Sequence, residues 1–205
     1  MAADPQSPLN PNGLLESEFD YIAQTAFQAN EDRARVTTFY LVNLGGLVAA
    51  LFSSQLASSL QAEVDLLFGG LFAVLSATGL LTILQLARLR QAWYESVQAL
   101  DQIKEYYTRQ FPSLKLEQAF RWKMGNIPRL YKPWSISFLL VLQIAVLGGV
   151  SLGAAAYYFG LLAGYRAWPV VAAAGIIYFI FQLWLHRRLL SKGSTQSESR
   201  RMGHG

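Results

Sequence analysis

The sequence predicts an all-α polytopic membrane protein, with four transmembrane helices arranged as two hairpins and the first two extended into an antiparallel cytoplasmic helical stalk. Three observations predict it. Residues 36–62, 66–87, 134–165 and 167–185 contain no Asp, Glu, Lys or Arg, and a helix of about 20 apolar residues crosses the ~30 Å hydrocarbon layer. Sixteen of the seventeen Lys and Arg residues lie before the first run, between the second and third, or after the fourth. Apolar residues spaced by three and four continue beyond the first two runs, into segments that carry charge.

Composition points the same way. Of 205 residues, 53% are hydrophobic and 15% charged, against about 25% charged in ordinary soluble domains. Cysteine is absent, which excludes disulfides, thiol catalysis and thiolate metal sites. The net charge of +4 does not indicate nucleic acid, because the basic residues flank the apolar runs, and Lys and Arg accumulate on the cytoplasmic side of membrane spans. By that rule both termini and the central loop face the cytoplasm.

Taken in order, residues 1–13 are rich in Pro and Asn and lack the basic and apolar regions of a signal peptide; disorder is expected there. A cytoplasmic helix follows over 14–35, where Leu15, Phe19, Ile22, Ala26 and Ala29 recur at coiled-coil spacing. Glu16, Glu18 and Asp20 sit in its first turns, at the positive end of the helix dipole. No Pro or Gly separates it from the first span, 36–58. The second span, 65–87, continues as a cytoplasmic helix over 88–111 on Leu89, Trp93, Val97, Leu100, Ile103, Tyr107 and Phe111, until Pro112 ends it. The two extensions, ~33 Å and ~36 Å long, leave antiparallel spans, so each can bury the other's stripe.

Residues 112–133 read as a connector holding a short amphipathic helix, in which Leu114, Phe120, Trp122 and Met124 mix with Lys115, Arg121 and Lys123 before a stop at Gly125 and Asn126. Pro133 and Trp134 open the third span, 134–160. Tyr157, Tyr158, Tyr165 and Trp168 mark the outer interface, and the fourth span covers 168–187. The polar tail, 189–205, is expected to be disordered.

Candidate sites are few. Small residues stripe the spans: Gly45, Ala49 and Ser53 in the first, Gly69, Ala73 and Ala77 in the second, Gly149 and Gly153 in the third. Such stripes let helix backbones approach, within one chain or between copies. Gln143, ~14 Å into its span by helix rise, is expected to hydrogen-bond across helices. His186 reads as a snorkelling anchor beside Arg187 and Arg188. Arg88, Arg90, Arg187 and Arg188 are candidate contacts for anionic lipid headgroups.

The runs contain no ionisable Asp, Glu, Lys, Arg or His, which disfavours ion-coupled transport. No nucleotide, dinucleotide or metalloprotease motif occurs. Neither a catalytic residue nor a metal or cofactor is expected. The loop carboxylates Glu95, Asp101, Glu105 and Glu117 alternate with basic residues, as a solvated helix face does.

A juxtamembrane helix ending NEDRARVTTFYLVN, a tight hairpin and the long helix LARLRQAWYESVQALDQIKEYY together resemble the bacterial SLATT-type and RipA-like octameric membrane proteins. The resemblance covers about residues 15–111. Its residue-level elements are Arg33 or Arg35 before the span, Asn43 within it and Trp93 after it; the second hairpin departs from the minimal SLATT plan. It implies an oligomeric membrane assembly in a bacterial plasma (inner) membrane and, for SLATT, a pore-forming effector.

Three functions follow as expectations. The first is a non-enzymatic homo-oligomer whose stalk mediates assembly or binds a cytoplasmic protein. The second is a passive channel assembled from several copies. The third is a membrane enzyme acting on lipid through Glu95 or Glu117. Paired stripes beside spans without reactive residues favour the first, with membrane lipid and further copies of the chain as partners.

Overall fold

The computed structural model describes residues 11–54, 61–114, 130–164 and 167–202. Among these residues the chain is helical and has no strand: α1 Pro11–Ser54, α2 Gln61–Gln110, a 3-10 turn Pro112–Leu114, α3 Ile136–Leu162 and α4 Trp168–Met202. All four α-helices are long and apolar enough to cross a membrane. Residues 1–10 of the expected disordered N-terminus, and the expected amphipathic helix after Leu114, lie outside the described residues.

α1 has 44 residues and α2 has 50, so they are ~66 Å and ~75 Å long, more than twice the hydrocarbon thickness. Their only proline is Pro11 at the first position of α1, where a missing N–H costs no intrahelical bond. The backbone ladder of each helix therefore runs unbroken between an apolar run and a charged stretch.

The chain forms two compact units, one within residues 1–31 and 92–129, the other within 32–91 and 130–205. In the first, Ile22 and Ala29 are buried. Trp93, Val97, Leu100, Ile103 and Tyr107 are half-buried, as are Leu15 and Ala26. Tyr107 stacks on Phe111 with ring centroids 6.3 Å apart. Glu105 and Arg109 pair one turn apart on an exposed face, a contact worth only about 0.3–0.5 kcal/mol.

The core of the second unit draws on all four helices. Tyr40 of α1, Phe68, Phe72, Leu75, Ile83 and Leu86 of α2, and Val141, Ile144, Ala145 and Ala155 of α3 form one buried cluster, with Phe179 and Leu183 of α4 against it. Tyr158 stacks on Phe72 at 5.9 Å, and Tyr157 on Trp168 at 5.1 Å. α3 and α4 approach each other at backbone level. A β-carbon placed on Gly149 would stand 2.8 Å from the Gly175 carbonyl oxygen, and one on Gly175 would stand 2.8 Å from that of Gly149.

α3 begins after Trp134, which takes a left-handed φ of 63°, a strained setting for an aromatic residue. Ser135 then caps the helix, its hydroxyl accepting from the Phe138 N–H at 3.3 Å. At the far end Gly164 supplies the left-handed turn, φ 69°, and donates to the Leu161 carbonyl at 3.1 Å.

One expectation is overturned here. α4 continues to Met202, through residues whose polarity pointed to a disordered tail from 189. Nucleation is the costly step of helix formation, and propagation adds one hydrogen bond per residue fixed. An apolar helix already formed over 168–188 removes the nucleation cost, so polar residues extend it.

Candidate functional site

Two groups of side chains in the second unit carry the chemistry. The first gathers on the short segment that precedes and opens α3. Arg90 Nε of α2 donates to the Leu130 carbonyl at 3.3 Å. Arg33 of α1 donates through Nη1 to the Ser137 hydroxyl. The Tyr131 ring lies 6.4 Å from that of His186 and beneath the guanidinium of Arg187, 5.9 Å from the ring centroid. Gln91 ties α2 to α4 by donating to the Leu189 carbonyl at 3.1 Å.

Arg33 and Arg90 are 8% and 9% exposed, which is unusual for a residue type almost never buried without a partner. Both make further interactions within the chain. Burial, and the like charge of Arg90 nearby, lower the Arg33 guanidinium from its ordinary pKa; burial alone does so for Arg90. Both stay charged at physiological pH, and both stand just outside the charge-free runs. His186 is 3% exposed, and its Nδ1 meets no hydrogen-bond partner among the described residues.

The second group is a polar layer inside the helices. Hydroxyls in an apolar run usually return a bond to the carbonyl four residues back, and Thr37, Thr82 and Ser151 do so at 2.8–2.9 Å. Four side chains behave differently. Tyr178 Oη donates to the Ser76 carbonyl at 2.9 Å, bridging α4 to α2. The Ser76 hydroxyl and both amide atoms of Gln182 are buried without a partner among the described residues. The Tyr40 hydroxyl adjoins Ser151 without meeting hydrogen-bond geometry. Glycines make room for this layer: a β-carbon on Gly148 would stand 2.8 Å from Gln182 Nε2, and one on Gly79 would stand 2.9 Å from Tyr40 Oη.

In the first unit, Leu15, Glu16 and Phe19 of α1 line an open groove of ≈390 Å³ together with Tyr107 and Phe111 of α2. The start of α1 thus lies beside the end of α2. Phe19, Tyr21, Phe27, Tyr106 and Phe111 are all exposed in this unit. Glu95 is exposed, Asp101 and Glu105 are half-buried, and Glu117 lies outside the described residues.

Several expected site residues stand elsewhere than the sequence suggested. Gln143 and Ala77 are exposed; among the described residues the buried glutamine is Gln182, which depth in the span did not single out. A helix apolar on every side gives no local signal of which face turns inward. Arg90 is turned into the protein instead of lining its rim, whereas Arg88, Arg187 and Arg188 are exposed, with Arg188 over the Trp184 ring at 5.0 Å. His186 does not snorkel; it is buried.

Gly69 abuts the Phe159 ring, at 3.0 Å from an added β-carbon, and Ala73 is half-buried. Gly149 and Gly153 face Gly175 and Val171 of the same chain. Sequence reasoning missed Arg33, Ser137, Gly148 and Gly175 as site or packing residues. A signal was present only for Arg33, one of two arginines just before an apolar run.

No protein-family model, no curated protein and no solved structure matches the chain.

Proposed function

We propose that this chain is a non-enzymatic membrane protein that assembles as a homo-oligomer, with an antiparallel helical stalk as its assembly or partner-binding surface. The observation that carries this reading is the exposure of large apolar side chains away from the charge-free runs. Tyr21 is 67% exposed, Phe27 72% and Tyr106 50%. Lipid covers such residues on a membrane span, but in a charged stretch they face water unless another protein covers them. Charge placement supports a topology in which this unit, both termini and the central loop are cytoplasmic, with the spans as two hairpins; the resemblance to bacterial families supports an inner membrane as the location. The resemblance to SLATT-type and RipA-like proteins supports assembly.

The test is mass measurement of the purified chain in mild detergent and in lipid nanodiscs. A discrete multimer is expected. A monomer in both environments overturns the reading.

A second reading, a passive channel assembled from several copies, rests on the membrane half of α1. Asn43, Gly46, Ala50 and Ser53 recur at seam spacing and are all exposed, and a β-carbon on Gly45 or Gly46 would meet nothing within 4 Å. A small, partly polar face suits close contact with another copy better than lipid. Flux of a small solute into liposomes holding the protein, compared with empty vesicles, separates the two readings. Equal flux removes the channel.

A further inference from the structure

We infer that Arg33, Arg90, Ser137 and His186 form a binding site for a phosphate group, presented by an anionic lipid headgroup or by a soluble phosphate ester. The inference does not depend on oligomeric state. It rests first on charge. Residues 32–34, 88–91, 130–138 and 186–190 of the second unit, which these contacts bring together, hold six Lys or Arg against one carboxylate, Asp32. Internal ion pairs therefore leave an excess of positive charge at this end of the unit. Two of those charges are not on the rim but at least nine-tenths buried, on different helices, with Arg90 close enough to act on Arg33.

The donors also suit the ligand. A guanidinium fork matches the spacing of phosphate oxygens, and Arg33 already holds a hydroxyl, that of Ser137, beside it. Ser137 lies in the first turn of the 27-residue α3, whose N-terminal N–H groups add positive potential. His186, buried with Nδ1 unpartnered among the described residues, adjoins Tyr131 on the same segment. It can donate or accept as the ligand requires. Position distinguishes this site from a generic basic rim. Both arginines flank charge-free runs at the level where headgroup phosphates lie, and each is tied by a hydrogen bond to the 130–138 segment.

The experiment uses the full chain purified in mild detergent and read by thermal unfolding and by native mass spectrometry. One arm adds phosphatidylglycerol or, as control, phosphatidylcholine. The other adds inorganic phosphate or, at equal ionic strength, chloride. The expected result is a raised Tm and a retained adduct with phosphatidylglycerol but not phosphatidylcholine. Arg33→Gln and Arg90→Gln should each weaken that binding about tenfold or more, the loss of one charge-assisted hydrogen bond.

Arg35→Gln, at an exposed neighbour on α1, should leave it unchanged. A response to phosphate as well as to the lipid, with the same variant pattern, assigns the site to soluble phosphate esters too. Ser137→Ala and His186→Gln keep the test decisive if an arginine variant fails to fold; each should weaken binding severalfold. Equal retention of both lipids with no effect of phosphate overturns the inference. So does a loss in Arg35→Gln that matches the loss in Arg33→Gln.

Discussion

The carbonyl oxygen of Gly175 occupies the space into which a β-carbon on Gly149 would project, 2.8 Å away, and the relation is reciprocal. This crossing brings two helix backbones together because neither residue has a side chain. It also means that the GxxxG pair of Gly149 and Gly153 is engaged within the chain and not held free for another copy.

The first prediction follows directly. Gly149→Ala should destabilise the protein by about 1–3 kcal/mol, the usual cost of overpacking a rigid site, since the obstructing atom is backbone. Gly45→Ala and Gly46→Ala meet nothing within 4 Å and should be neutral or slightly stabilising, as alanine in a helix gains roughly 0.5–1 kcal/mol over glycine. Thermal unfolding in one detergent compares all three. Equal effects would show that the crossing contributes no steric constraint.

Gln182 should be better replaced than kept. Both amide atoms are buried without a partner among the described residues, and an unsatisfied buried polar group costs about 1–3 kcal/mol. Gln182→Leu is therefore expected to hold or raise Tm. A marked fall in Tm would mean that the amide is satisfied in the native membrane.

Gly148→Ala should cost less than Gly149→Ala. Its added methyl meets the Gln182 amide end at 2.8 Å, and a flexible side-chain terminus can turn away where a backbone carbonyl cannot. The cost should vanish in the Gly148→Ala, Gln182→Ala double variant, a coupling that a double-mutant cycle reads directly.

Tyr178→Phe removes the 2.9 Å bond to the Ser76 carbonyl without changing shape. Hydrogen bonds between membrane helices average about 0.6 kcal/mol, so a small loss in Tm is expected. No loss would indicate that the hydroxyl and carbonyl find other partners in lipid.

On the reading of assembly through the charged unit, Tyr21→Ser with Phe27→Ser should lower the multimer mass at fixed protein concentration while helical content by circular dichroism stays unchanged. Both side chains are more than half exposed, so their loss empties no core. An unaltered mass distribution would move the assembly surface elsewhere, with the exposed small face of α1 as the next place to substitute.

Much of the architecture is legible in the sequence. The runs 36–62, 66–87, 134–165 and 167–185 announce four apolar helices because length and the absence of charge are local properties. The stripe on Leu15 and Phe19, and that on Tyr107 and Phe111, likewise pointed to residues that now line one groove. The site was far less legible. Gly175 has no glycine partner at helical spacing in its own helix, so its role appears only when α3 is placed against it. Arg90 and Arg88 are two residues apart in one basic stretch, yet one is buried and the other exposed.

Four helices able to cross a membrane follow from the sequence alone, since hydrophobic length adds along the chain whatever its neighbours do. How each helix is rotated about its own axis emerges only from packing. That rotation turns Gln182, His186, Arg33 and Arg90 inward and leaves Gln143 outside. The reason is physical. A helix apolar all round has no preferred face until another helix packs on it, so its orientation is set by fit between partners and not by local pattern.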